Sequence, residues 1–79
     1  MKCKSVHIGS EIQTVLQEKG IAASWLAKKI HCHKTNMYKI FKKSDIDTKL
    51  LFDISLALEI DFFSLYSNQM NIHKLNRNQ

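Results

Sequence analysis

The residues best equipped to do chemistry crowd into one stretch, "KKIHCHKTNMYKIFKK", residues 28–43, where His31, Cys32 and His33 sit between pairs of lysines. Side chains of these types can ligate zinc, and a cysteine beside a histidine can serve as an activated nucleophile. A structural zinc site needs four ligands in a tetrahedron, and the other donors, Cys3, His7 and His73, stand at no familiar ligand spacing. A Cys–His nucleophile needs a cleft and a third residue to orient the base, and the pattern indicates neither. The chain also lacks a Gly-rich phosphate loop. The expectation is therefore no catalytic residue, no metal and no cofactor, which leaves the lysines as the group able to act, by holding a polyanion.

The distribution of charge sharpens that reading. The 79 residues carry a net charge of +5. Between Lys19 and Ser44 lie seven lysines and no acid, whereas Asp45 to Asp61 holds five acids and Lys49 as its single base. One segment suits an anionic partner such as nucleic acid and the next does not. With 44% hydrophobic residues, two glycines and no proline, the chain has little turn material for a sheet, and an all-α fold is expected. Its length suits one domain around a single small core, which at this size buries only about 60% of the unfolded surface.

Compartment follows from what the sequence does not contain. Two cysteines make a poor disulfide framework and suit a reducing cytosol. No apolar run nears the roughly 20 residues that span a bilayer. The start "MKCKSVHIGS" has too short an apolar part for a signal peptide. A soluble cytoplasmic protein is expected, without membrane or small-molecule partner.

The lysines need elements to position them. Ile8, Ile12, Val15 and Leu16 fall at helical spacing, with Ser10 as a helix-starting acceptor and Gly20 at a left-handed end, so a first helix is expected over about 10–19. Ala23, Leu26, Ala27 and Ile30 predict a second over 23–30. Met37, Ile40 and Phe41 predict a third over 34–42, apolar on one side, with Lys34, Thr35, Tyr38, Lys39 and Lys42 largely on the other. Asp47 is placed to cap a fourth, 48–59, carrying Leu50, Leu51, Ile54, Ala57 and Leu58, and Asp61 to cap a short fifth, 61–66. Residues 67–79 read as a polar tail, more frayed end than core, with a weak terminal helix as the alternative.

The second and third helices, joined by about three residues, match a helix-turn-helix over 23–42. Ala27 is small, as a close crossing requires. His31 falls at the tight turn, where a left-handed residue is usual and glycine is favoured. "WLAKKIHCHKTNMYKIFKK…IDTKLLFDISLALEIDFFSLY" resembles the Cro/C1-type helix-turn-helix family, also called the XRE family, over about Ile8 to Tyr66. The resemblance implies a compact five-helix, lambda-repressor-like domain, sequence-specific duplex DNA binding, and a third helix whose first turn enters the major groove. It departs from the family at Ala22 and Ala23, where a capping Thr or Ser and a phosphate-holding Gln are common, and at His31 and Glu59, where glycines are common.

Carried over by position, Lys34, Thr35 and Lys39 are the base-reading candidates, with His33 and Asn36 beside them. Ser24, Lys28, Tyr38, Lys42 and Lys43 are candidates for phosphates, which orient without reading sequence. Trp25, next to the crossing, is a packing residue or a contact to phosphate or a second subunit. The resemblance further implies a homodimer on two half-sites about one helical turn apart and a role in transcriptional regulation. The competing reading is a helical adaptor that uses Trp25, Tyr38 and the same basic face to hold an acidic protein.

Overall fold

The computed structural model describes the backbone of residues 6–77 and the side-chain surroundings of residues 6–71, and within these it is all-helical, with no strand. Cys3 lies outside the described residues, as do positions 78 and 79 of the expected tail and the side chains of Ile72, His73 and Leu75. The helices are α1 (Ile8–Lys19), α2 (Ala23–Lys29), α3 (Lys34–Phe41), α4 (Thr48–Leu58) and α5 (Phe63–Arg77).

Helix starts follow from where free amides find acceptors. α1 begins two residues before the expected Ser10, because the imidazole Nδ1 of His7 accepts from Ser10 N (3.2 Å) and the His7 carbonyl from Glu11 N (3.1 Å). Ser10 is thus a donor inside the first turn and His7 is the cap. α4 starts as its sequence predicts: the Asp47 carboxylate accepts from Leu50 N at 2.7 Å. At α5 the acceptor is the Asp61 backbone carbonyl, which takes Ser64 N (3.2 Å) and Ser64 Oγ (2.6 Å), so the helix opens at Phe63 rather than at 61. It also runs through the expected polar tail to Arg77. Residues 63–77 contain no glycine or proline, and each added residue extends an existing helix without a new nucleation cost.

Three helices end in the same way. After α1, α2 and α4 one residue turns left-handed: Gly20 (φ 67°), His31 (φ 60°) and Glu59 (φ 56°). In each case the next amide reaches back to the helix's last turn, Ile21 N to Leu16 O (2.9 Å), Cys32 N to Ala27 O (2.9 Å) and Ile60 N to Ser55 O (3.1 Å). Such an ending closes α2 at Lys29 and α4 at Leu58, each one residue short of the expected limit, and α3 likewise stops at Phe41 with Lys42 as its cap.

Left-handed geometry costs a residue with a Cβ about 1 kcal/mol, partly offset by glycine's greater freedom in the unfolded chain. His31→Gly should therefore leave the melting temperature unchanged or slightly higher, with and without a chelator. If His31 instead held a metal with Cys32 and His33, the variant would melt far lower and a chelator would destabilise the native protein.

The core draws on every helix up to the start of α5: Ile8, Ile12, Leu16, Leu26, Ala27, Met37, Ile40, Phe41, Leu51, Ile54, Leu58 and Phe62 are buried. Among the described residues no polar or charged residue is buried as a whole. α2 packs on α3, α3 also on α1, and α2 on α4. Leu65 and Tyr66 still lean on this core, whereas Ser67, Asn68, Met70 and Asn71 are exposed. None of the described helices is long and apolar enough to cross a membrane.

Candidate nucleic-acid interface

The pair α2–α3 is held from three sides. Met37, Ile40 and Phe41 turn the inner face of α3 into the core, and Leu26 and Ala27 do the same for α2. The left-handed His31 sets the angle between them. A third constraint sits at the far end of α3. The amides of Ile8 and Gly9, the first free donors of α1, bond to the carbonyls of Ser44 (3.1 Å) and Lys43 (3.0 Å). Free amides of α1 are thereby satisfied by the segment that follows α3. Gly9 permits the approach, since a Cβ there would lie about 2.6 Å from the Phe41 carbonyl carbon.

What α3 presents outwards follows from its period of 3.6 residues. Lys34, Thr35, Asn36 and Lys39 are all exposed, and Tyr38 is 48% exposed with its ring edge-on to Phe41 at 5.9 Å. Lys42 and Lys43 are exposed just past the helix end, and His33 just before its start. The structure thus brings the base-reading candidates His33, Lys34, Thr35, Asn36 and Lys39 onto one helix and its lead-in. Ser24 and Lys28 stand exposed on α2. Neither α2 nor α3 has a side-chain cap, and their first turns close on the cap carbonyls instead, Trp25 N on Ala22 O (3.0 Å) and Asn36 N on His33 O (2.9 Å).

Trp25 is 40% exposed on α2, with Lys29 Nζ 5.3 Å from its ring centre. That distance allows a cation–π contact. Lys29 was missing from the sequence-derived candidates, although its i,i+4 spacing from Trp25 was the available signal. His7 and Gly9 were missed as well. A glycine in a helical stripe gives no sign of what it touches.

Cys32 is half-buried against the core, and burial pushes its thiol pKa up, so at neutral pH it stays a thiol rather than a nucleophilic thiolate. Among the described residues no three of His, Cys, Asp and Glu come together as a metal-holding group. On the acidic segment, Lys49 is paired with Asp53 at 2.8 Å, which leaves that surface without an unpaired base of its own.

No protein-family model, curated protein or solved structure matches this chain. From Lys19 to Ser44 the exposed side chains offer ammonium donors, hydroxyls and one amide with no carboxylate among them. They project from the end of α1, from α2 and α3, and from the segments that join and follow those helices.

Proposed function

We propose that the protein is a sequence-specific duplex-DNA-binding regulator of the Cro/C1 helix-turn-helix kind. In this reading α3 lies in the major groove, with Lys34, Thr35, Asn36, Lys39 and His33 at base edges. Ser24, Lys28, Tyr38, Lys42 and Lys43 hold phosphates on either side. The observation that carries the proposal is the acid-free outer face of α3, projecting from a helix whose inner face is fully committed to the core. A helix about 10–12 Å across with its side chains fits a groove about 12 Å wide. Two copies would engage half-sites one turn apart, and the activity would be regulatory rather than enzymatic.

A second reading, an adaptor for an acidic protein, is favoured by the exposed aromatic rings of Trp25 and Tyr38. Competition separates the two. With a fluorescent random-sequence duplex bound, unlabelled duplex DNA should displace it far better than polyglutamate at equal charge. Equal displacement by both, or no duplex binding, would count against the DNA reading.

A further inference from the structure

We infer that the DNA half-site contains a guanine read by Lys39, about two base pairs from the base beneath Thr35. The inference rests on the duplex-DNA reading above and adds which bases it selects.

The inner side of α3 is defined by buried Met37, Ile40 and Phe41. At about 100° per residue, the two α3 positions diametrically opposite are Thr35 and Lys39, one turn apart. Lys34 lies on one flank beside Tyr38, and Asn36 lies on the other. A helix seated by its outer face therefore sends Thr35 and Lys39 deepest, while Lys34 and Asn36 approach base edges from the flanks.

Chemistry then selects the base. The Lys39 ammonium has three donors and no acceptor. In the major groove cytosine shows a donor, adenine one acceptor beside a donor, and thymine one acceptor beside a methyl group. Guanine alone shows two adjacent acceptors, O6 and N7, and so best satisfies a group that can only donate. The nearest acids in sequence, Glu18 and Asp45, lie outside α3, so no carboxylate on this helix offers cytosine N4 an acceptor. Four residues of helix advance about 6 Å, close to two base steps of roughly 3.4 Å, which sets the spacing. Thr35 has a methyl for thymine and a hydroxyl that suits any base, so its position should be less selective.

Selection of bound duplexes from a random pool, with wild type, Lys39→Gln and Lys43→Ala, tests this. Wild type should enrich one invariant guanine per half-site, preferred about 5- to 150-fold over other bases. In Lys39→Gln that position alone should change to adenine, because a glutamine amide both donates and accepts. Lys43→Ala should keep the guanine and bind every duplex more weakly. Since Lys39 is exposed, circular dichroism should show Lys39→Gln folded as wild type. A selected site without an invariant guanine, or a guanine unchanged in Lys39→Gln, overturns the inference while duplex binding stands. Recovery of no duplex by wild type overturns the inference and the DNA reading together.

Discussion

Gly9→Ala is expected to destabilise the domain by about 3 kcal/mol, read as a lower urea midpoint at unchanged slope. Alanine normally favours a helix over glycine by about 1 kcal/mol. Here that gain is overwhelmed, because the new Cβ would press on the backbone carbonyls of Ile40 and Phe41, which cannot rotate away as a flexible side chain would. Relief requires α1 to lift from α3, which stretches the bonds from Ile8 N and Gly9 N to Ser44 and Lys43. Gly20→Ala is the control. Its position is left-handed but opens onto empty space, so only the backbone cost of about 1 kcal/mol applies. Because the displaced contact is the brace at the end of α3, Gly9→Ala should also weaken DNA binding under conditions where it remains folded. A Gly9→Ala variant as stable as wild type would show that the α1–α3 junction is looser than described.

The second large effect is of salt. Lys19, Lys28, Lys29, Lys42 and Lys43 are the exposed lysines of the acid-free segment that are not assigned to base edges. If together they neutralise about five phosphates, log K falls with log salt at a slope near −4.5. From 50 to 200 mM salt that slope amounts to about a 500-fold loss of affinity. Fluorescence anisotropy on one duplex across that range measures it. A slope shallower than about −2 would mean that most of these lysines face solvent rather than phosphate.

Much of the scaffold was legible because its signals are local. The apolar stripes on α1 to α4 named residues that are all buried or packed against the core, and the Asp47 cap and left-handed His31 could be read from residue type and position. What escaped depends on distant partners or on weak patterns. Histidine is seldom a helix cap, so His7 gave way to the better-known Ser10, and α1 was expected to begin late. Phe62 is buried before α5 begins, so its apolar character was read as the first turn of that helix. The extension of α5 to Arg77 had only widely spaced Met70, Ile72 and Leu75 to announce it. Within the candidate interface the types of side chain were plain from sequence. Their placement around α3 was plain as well, since the Met37, Ile40 and Phe41 stripe marks the buried side and leaves Thr35 and Lys39 opposite it. The contribution of Gly9 to that helix's position was not legible at all.

If the outer face of α3 meets DNA, amide chemical shifts followed during titration with duplex DNA will report it residue by residue. The largest changes should fall on residues 33–43 and on the first turn of α2, with Phe52, Leu56 and the remaining outer surface of α4 little affected. Changes centred on α4 and α5 with residues 33–43 unmoved, or no change at saturating duplex, would contradict it.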